Sequence, residues 1–367
     1  MGIHERLGLS EVVNACGTYT PLGVSRSSAA VAAAVAAALP EFFVLEELGD
    51  RASEAIAHAT GAEAGAVVHC TAAATTIAVA AAMAGSDPER IAALPDTTGM
   101  RHRVVLPAGH AVDYGQSNLQ AVRLAGADVV LAGTEERCGV DELTAVLAGA
   151  EVACLLLVSS RLVRPGEPVD LAAAVRAAHG HGVPVIIDGA AQFPRVGELL
   201  ATGADAVLIS GQKYLASPTA GLVLGTRQLV RAVRAQDKGI GRGMKPTKEA
   251  IVGVLAALDE WQAADREEWV AREAAKVADF VRAAGRLPGI SAREWADPAG
   301  LPVSRVVLSV SDGVDAAALA AKLRAGRPPI FVMTDRAGSG ELVLELVSLA
   351  DEEVRTILER LDAELPR

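Results

Sequence analysis

Val207-Leu208-Ile209-Ser210-Gly211-Gln212-Lys213-Tyr214 joins a short apolar run to a lysine. The apolar run predicts a buried strand, and the lysine follows directly after the strand ends. Lysine is an unusual residue for this place, because its ammonium group is strongly hydrated and desolvation lowers its pKa. A lysine amine with a lowered pKa can act as a nucleophile toward an aldehyde. A solvated loop lysine is the alternative interpretation, and this stretch alone leaves both open.

A second stretch changes the balance between these interpretations. Val185-Ile186-Ile187-Asp188 is an apolar run that ends in a carboxylate. Enzymes with parallel sheets bind their ligands at the carboxyl ends of the strands. An aspartate and a lysine at two such ends are the pair that pyridoxal 5'-phosphate (PLP) needs, since the lysine binds the aldehyde and the aspartate keeps the pyridine nitrogen protonated. The sequence therefore predicts a PLP-dependent enzyme with Lys213 and Asp188 as catalytic residues.

Short apolar runs alternate with helical stretches between about residue 46 and residue 255. This pattern predicts an α/β fold with a mostly parallel seven-stranded sheet covered by helices on both faces. The linker between the last two runs is too short for a helix, so the final strand is expected to be antiparallel to its neighbours. The runs are Ala66–His69, Val104–Leu106, Val129–Leu131, Cys154–Val158, Val185–Ile187, Val207–Ile209 and Leu222–Leu224.

The flanking segments complete the predicted domain organisation. Residues 1–45 are expected to form an N-terminal arm and a helix, residues 46–255 the large PLP-binding domain, and residues 256–367 a smaller α/β domain. In the last of these, strands are predicted at Ser304–Val310, Ile330–Met333 and Leu342–Leu346.

Composition and charge exclude several classes of protein. Of the 367 residues 51% are hydrophobic, which supplies a large core, and the net charge of −11 argues against a nucleic-acid partner. No apolar run reaches the roughly 18 residues that span a bilayer, and the N-terminus has no pattern of a signal peptide. The cysteines lack metal-ligand spacing and are expected to be reduced thiols of a cytoplasmic protein without a metal. They are Cys16, Cys70, Cys138 and Cys154.

Three further motifs are candidates for binding. Thr71-Ala72-Ala73 opens a helix, where backbone N–H groups and the helix dipole favour a phosphate, although Thr71 could also be an ordinary helix cap. His110 follows another apolar run and could stack on a cofactor ring, or be structural. Arg242 and Lys245 belong to a cationic, glycine-rich loop that could bind an anionic substrate or remain a solvated surface.

The order of these motifs resembles the fold-type-I PLP-dependent enzymes, which are aspartate aminotransferase-like. Within them the chain is most similar to the group of the L-seryl-tRNA selenium transferases and the D-glucosaminate-6-phosphate ammonia-lyases. The cationic loop resembles the ammonia-lyase side of this group. The motifs that carry the resemblance are Asn14–Thr18, Gly61–Gly65 with Thr71–Ala74, Ile187–Asp188, Ser210–Lys213 with Pro218–Gly221, and Arg242–Glu249.

The resemblance implies a role for each matching position. It implies that Lys213 is the Schiff-base lysine and Asp188 the partner of the pyridinium nitrogen. It also implies that Ala190 packs on the ring. Thr71, Ala72, Ala73 and Ser210 are implied to hold the phosphate, with Gln212 in the same motif as the lysine. The Asn14–Thr18 segment, which could also be a plain connector, offers Thr18 as a substrate-binding residue.

The expected reaction is an α,β-elimination of the ammonia-lyase type. A β-hydroxy amino acid or an amino sugar acid would give a 2-keto acid and ammonia, with Lys213 removing the α-proton and His110 or Lys213 as candidate acids. Aldol cleavage and racemisation use the same carbanion and remain alternatives, as does a selenium transferase-like enzyme without the tRNA-binding domain. A PLP-binding regulatory protein is the non-enzymatic alternative. The resemblance also implies a homodimer or a larger homo-oligomer.

Overall fold

The computed structural model describes residues 2–163, 169–311 and 313–365. The helices are α1 (Ile3–Leu7), α2 (Ala29–Ala38), α3 (Leu45–Thr60), α4 (Thr71–Ala84), α5 (Pro88–Ala93), α6 (Leu119–Leu124), α7 (Val140–Leu147), α8 (Leu171–Gly180), α9 (Val196–Ala201), α10 (Arg227–Ala235), α11 (Lys248–Ala263), α12 (Arg266–Ala284), α13 (Ala316–Ala325) and α14 (Asp351–Glu364). The strands are β1 (Val13–Asn14), β2 (Ala64–Val68), β3 (Arg103–Pro107), β4 (Asp128–Ala132), β5 (Val152–Val158), β6 (Val185–Asp188), β7 (Ala206–Ser210), β8 (Gly221–Gly225), β9 (Ile290–Ala296), β10 (Ser304–Val310), β11 (Ile330–Phe331) and β12 (Glu341–Leu344).

The contacts divide the chain into two units. The larger unit is Ser27–Ala263, and the smaller one combines Met1–Arg26 with Ala264–Arg367. The N-terminal segment therefore shares a unit with the C-terminal part of the chain. The three-part division at residues 45 and 255 stays a prediction.

The larger unit is built on a seven-stranded sheet in the order β2-β8-β7-β6-β5-β3-β4. Strands β3 to β7 run parallel to one another, whereas β8 is antiparallel to both β2 and β7. All seven predicted apolar runs form these strands. The antiparallel final strand is also confirmed, because the connection after β7 is too short to cross the sheet.

Alternation along the strands gives the sheet two buried faces. Leu156, Ile186 and Leu208 pack in one apolar cluster with α4, α6 and α10. Their neighbours Leu155, Ile187 and Val207 pack in a second cluster with α7, α8 and α11. Because both faces are covered, every residue of β5 and β7 is buried. The sheet is thus a rigid platform that fixes where its strands end.

The smaller unit contains a three-stranded antiparallel sheet in the order β9-β10-β12, whose core includes residues of α12, α13 and α14. The predicted strand Ser304–Val310 matches β10. The other two predicted strands are shorter in the structure, as β11 and β12. Strand β9 is not predicted, because most of its residues are polar or exposed. Among the described residues no helix is both long and apolar enough to cross a membrane.

Candidate active site

Three predicted site residues meet at the carboxyl edge of the large sheet, because β6 and β7 are parallel neighbours. Asp188 is the last residue of β6 and lies in register with Leu208 of β7. The N–H of Ser210, at the end of β7, donates to the carbonyl of Ala190 (2.9 Å). The turn after Asp188 and the end of β7 are therefore held side by side, which brings Asp188, Ala190 and Ser210 together.

Asp188 is half-buried, and its carboxyl has too little positive charge nearby to compensate the loss of hydration. Its Oδ1 accepts a hydrogen bond from the N–H of Ala190 (3.0 Å). Burial raises the pKa of Asp188, and the Ala190 hydrogen bond and the charge of Lys213 only partly oppose that rise. The Lys213 charge thus acts directly on Asp188. A further cation beside this carboxyl, such as a pyridinium N–H, would stabilise its ionised form.

Lys213 is held by a tight loop between β7 and β8. Its N–H donates to the carbonyl of Ser210 (3.2 Å), and the N–H of Ser217 donates to the carbonyl of Gly211 (3.0 Å). Ala216 in the same loop has φ of 55°, a left-handed conformation that costs a non-glycine residue roughly 1–2 kcal/mol. The loop therefore keeps a conformation that is locally unfavourable. Gln212 lies inside it, next to Lys213.

A glycine that is not adjacent to either residue along the chain brings Thr71 and Ser210 close together. Gly221, the first residue of β8, lies in register between Val68 and Ser210. A Cβ on Gly221 would be only 2.4 Å from the carbonyl oxygen of Cys70 and 3.0 Å from the nitrogen of Thr71. Glycine is required here, because the N-terminus of α4 lies directly against β8.

The N-terminus of α4 has the character of an anion site. The first residues of the helix are Thr71, Ala72 and Ala73, and the preceding Cys70 provides no side-chain cap. The Thr71 hydroxyl oxygen is buried and has no hydrogen-bond partner among the described residues. A buried unpaired hydroxyl is costly, so a ligand that accepts from it would relieve a cost of about 1–3 kcal/mol. A phosphate supplies such acceptors and matches the helix dipole.

His110 lies at the same sheet edge, just after β3, which is two strands beyond β6 in the sheet. Its Nδ1 accepts a hydrogen bond from the N–H of Val158 (2.9 Å), and Val158 pairs in register with Asp188. Burial lowers the pKa of His110 to about 4. The ring is therefore neutral at pH 7, with its proton on Nε2. This state suits ring stacking or hydrogen-bond donation better than transfer of a proton from an imidazolium.

The cationic loop lies beyond the edge strand β2. Arg242 and Lys245 line a cavity of about 1080 Å³ whose lining includes neither Asp188 nor Lys213. The loop is nonetheless tied to the end of β2, because the N–H of His69 donates to the carbonyl of Met244 (2.9 Å). Lys245 also lies 3.8 Å from Asp237. The structure thus places these two predicted substrate residues on the β2 side of the Thr71 site.

Thr18 belongs to the smaller unit. Asn14 donates to the carbonyl of Gly17 (2.9 Å), and β1 pairs with β11, so the Asn14–Thr18 motif is a structured turn. Gly17 has φ of 70°, and a Cβ there would lie 2.4 Å from the Glu345 carboxyl carbon. The motif is therefore not a plain connector, and the substrate role of Thr18 stays a prediction.

Two residues at this edge were not predicted from the sequence. Tyr114 lies in a short hairpin after β3, and the charge of Asp188 acts on its phenol. Asn118 closes that hairpin from a buried position, since its Nδ2 donates to the carbonyl of His110 (3.0 Å). The only sequence signal is the turn-forming composition of Asp113-Tyr114-Gly115.

These features fit PLP. The carboxyl of Asp188 lies at one place on the edge and the unpaired hydroxyl of Thr71 at another. Ser210 and Lys213 follow from β7, the strand beside Asp188. Asp188, Ala190 and His110 would contact the ring, and Thr71, Ala72, Ala73 and Ser210 the phosphate. Among the described residues, no group of three or more His, Cys, Asp or Glu side chains is arranged to hold a metal ion.

Comparison with known proteins relates this chain to several enzymes. The profile of the L-seryl-tRNA selenium transferase family matches residues 96–271. A D-glucosaminate-6-phosphate ammonia-lyase from Salmonella typhimurium is 33% identical, over 98% of this chain and 96% of its own length. A 5'-C-glycyluridine monooxygenase-decarboxylase from a Streptomyces species is 34% identical, over 98% of this chain and 91% of its own.

Solved structures agree with the sequence comparisons. The structure of a D-glucosaminate-6-phosphate ammonia-lyase superposes with a TM-score of 0.89 at 32% identity, covering 99% of this chain and 98% of the other. A serine palmitoyltransferase variant from S. paucimobilis, solved with a bound PLP adduct, has a TM-score of 0.59 at 16% identity, covering 96% of this chain and 87% of its own. The second similarity concerns the fold alone, and that fold is the one of fold-type-I PLP enzymes.

Proposed function

We propose that this chain is a lyase for a β-hydroxy amino acid or amino sugar acid. The chain belongs to the PLP-dependent family that contains the L-seryl-tRNA selenium transferases and the D-glucosaminate-6-phosphate ammonia-lyases. The reaction is an α,β-elimination that gives a 2-keto acid and ammonia. The observation that carries this proposal is the pairing of one amine, Lys213, with one half-buried carboxyl, Asp188, at the edge where Thr71 offers an unpaired hydroxyl.

Bound at this edge, PLP would supply a ring that accepts negative charge from the α-carbon of an amino acid. Asp188 supports that chemistry by holding a proton on the ring nitrogen. Its own burial helps, because a carboxyl in a weakly solvated place interacts more strongly with a cation. The amide of Ala190 keeps the carboxyl oriented while it does so (3.0 Å).

Lys213 is the proposed base that takes the α-proton and holds it on Nζ. The loop around it is fixed by the hydrogen bonds of Ser210 and Gly211, so the amine starts from a defined position. Neutral His110 is a poor second base or acid, because its pKa of about 4 favours the unprotonated ring at pH 7. A site with one effective base favours elimination over a racemisation that uses two bases.

The reaction can be tested by a screen of D- and L-amino acids and of phosphorylated amino sugar acids, including D-glucosaminate 6-phosphate. We expect release of ammonia and a 2-keto acid, with deuterium at the β-carbon when turnover takes place in deuterated water. Lys213→Ala should abolish turnover. An aldehyde co-product, or α-deuterated substrate of inverted configuration without ammonia, would contradict the proposal and indicate an aldolase or a racemase.

An oxygen-dependent decarboxylation is the second candidate function. It is favoured by the 34% identity to the monooxygenase-decarboxylase over almost the whole chain, which is close to the identity to the ammonia-lyase. The two functions differ in their need for oxygen. The proposed lyase turns over at the same rate without oxygen, whereas oxygen consumption with release of carbon dioxide would support the alternative.

We also propose that the protein is a cytoplasmic homodimer or a larger homo-oligomer. The run Phe42-Phe43-Val44-Leu45 supports self-association, because all four apolar side chains are exposed and Phe42 is fully so. The four cysteines, all free in the structure, are consistent with a reducing compartment. Light scattering should give at least twice the mass of one chain, and a fully active monomer would contradict this assignment.

A further inference from the structure

The proposed elimination needs an acid for the departing hydroxyl, and the side chains assigned so far provide no good one. Hydroxide is a poor leaving group, so the C–O bond breaks far more readily when the oxygen is protonated as it leaves. Neutral His110, with a pKa of about 4, is poorly matched to that task. Lys213 serves the carbon atoms in this scheme, because its amine takes the α-proton and its ammonium later protonates the β-carbon.

A hairpin after β3 carries a second candidate. Asp113 and Ser117 form an antiparallel bridge, and the N–H of Asn118 donates to the carbonyl of Val112 (3.1 Å). Gly115 at the turn has φ of 101°, and its N–H donates to the Asp113 carboxylate (2.8 Å). The turn therefore has a defined conformation, and Tyr114 lies at its tip.

Consecutive hydrogen bonds connect this hairpin to Asp188. The buried Asn118 donates from Nδ2 to the carbonyl of His110 (3.0 Å). The imidazole of His110 accepts from the N–H of Val158 (2.9 Å), and Val158 is the register partner of Asp188. The base of the hairpin is thus fixed relative to the proposed ring position.

The phenol of Tyr114 lies within reach of the charges of this site. Partial burial raises its pKa, and the charges of Asp188, Cys70 and Asp113 raise it further. Tyr114 is 49% exposed, so its side chain is not packed away from the edge where Asp188 marks the proposed ring nitrogen and Cys70 precedes the proposed phosphate site. At neutral pH it carries its proton and is a hydrogen-bond donor.

We propose that Tyr114 is the acid that protonates the leaving hydroxyl group of the substrate. This inference rests on the proposed elimination and adds a catalytic residue to it. The Cα–H bond breaks first and its proton goes to Lys213. The Cβ–O bond then breaks, its electron pair leaves on the oxygen, and the Tyr114 proton converts that oxygen to water. The phenolate regains a proton from solvent, and the Lys213 ammonium, whose protons exchange with solvent, gives a proton to the β-carbon.

The test compares two leaving groups, using DL-serine and 3-chloro-DL-alanine as probes. Chloride leaves without protonation, so it does not need the acid. Tyr114→Phe should lower kcat for serine by roughly 10²- to 10⁴-fold, the usual range for general acid catalysis, and leave kcat for chloroalanine nearly unchanged. Gln116→Ala alters the same hairpin but keeps the phenol, and is expected to retain both activities.

A second measurement does not depend on turnover. The chain has three tyrosines, so incorporation of 3-fluorotyrosine gives a simple ¹⁹F NMR spectrum in which Tyr114→Phe identifies the Tyr114 signal. Addition of PLP to the cofactor-free protein should move that signal, because the charge of Asp188 acts on the phenol. The PLP dissociation constant of Tyr114→Phe, measured by absorbance titration, should stay close to that of the wild type.

The outcomes separate this inference from the proposed function. An equal loss on serine and chloroalanine, or a Tyr114 signal that PLP does not move, would overturn the role of Tyr114. The same conclusion follows if His110→Asn, and not Tyr114→Phe, shows the loss specific to serine. Wild-type protein that binds PLP and moves the Tyr114 signal, but eliminates neither probe nor D-glucosaminate 6-phosphate, would instead count against the proposed lyase activity.

Discussion

Replacement of Asp188 by asparagine removes the charge of the half-buried carboxyl while keeping its shape. The asparagine Oδ1 can still accept the hydrogen bond of Ala190, which is 3.0 Å long in the structure. What is lost is the charge-assisted bond to the ring nitrogen of PLP, and such a bond contributes about 1.5–3 kcal/mol. The PLP dissociation constant should therefore rise by roughly 10- to 100-fold, since each 1.4 kcal/mol corresponds to a factor of ten.

The same substitution should act in the opposite direction on the cofactor-free protein. Burial raises the folded-state pKa of Asp188, so the folded protein binds more protons than the unfolded chain between the two pKa values. The free energy of unfolding then falls as the pH rises through this window, and the cost is fully present above the folded-state pKa. Because asparagine has no such cost, the cofactor-free variant should be at least as stable as the wild type at neutral pH.

Both effects can be measured on the same protein samples. Absorbance titration of the cofactor-free protein with PLP gives the dissociation constant, and urea unfolding gives the stability. Asp205→Asn is a matched control, because Asp205 accepts from Val185 at the opposite end of β6 (2.8 Å) and pairs with His179 (2.9 Å). The control should lose stability and keep PLP affinity. Unchanged PLP affinity in Asp188→Asn would refute the assigned role.

Two further substitutions test the phosphate site and the buried imidazole. Thr71→Val removes a hydroxyl that has no partner among the described residues, so it should weaken PLP binding in a titration while the cofactor-free protein unfolds at the same or higher urea concentration. Thr144→Val, in which a hydroxyl bonded at 2.7 Å in α7 is lost, should leave the affinity unchanged. His110 has a folded pKa of about 4, so the free energy of unfolding should fall by up to about 3 kcal/mol as the pH drops from 6.5 toward 4. His110→Asn should remove that part of the pH dependence in urea titrations, and a ¹⁵N NMR titration that finds His110 protonated near pH 6 would contradict the prediction.

The strands of the large sheet were predictable because their burial leaves a direct mark on the sequence. A strand covered on both faces must be apolar at every position, and β5 and β7 are. The same rule locates Asp188 and Ser210, since each is the residue at which an apolar run becomes polar. Strand β9 has no such mark, because most of its residues are exposed or only partly buried.

The contacts between distant segments could not be predicted in this way. Gly221 adjoins Cys70 only because β8 inserts between β2 and β7, and a strand order is set by tertiary pairing rather than by local pattern. The N-terminal strand β1 pairs with β11, more than three hundred positions later in the numbering, which is equally invisible to a local pattern. The Tyr114 hairpin has a turn composition, but that composition does not reveal what the tip of the turn approaches.

The site therefore separates into a part that binds the cofactor and a part that selects the reaction. Asp188, Ser210 and the start of α4 are fixed by strands whose apolar faces leave little freedom for change. The hairpin with Tyr114 and the loop Thr134–Cys138, which lines a small cavity beside His110, are connecting segments outside the sheet, where sequence changes are tolerated better than in the strands. Two relatives that are nearly equally identical to this chain can therefore be named for different reactions. Such loops determine how the breaking bond is oriented and which group gives a proton to the leaving group. Substitutions at the strand ends, such as Asp188→Asn, should accordingly weaken cofactor binding, whereas Tyr114→Phe in the hairpin should slow the loss of the hydroxyl group while PLP remains bound.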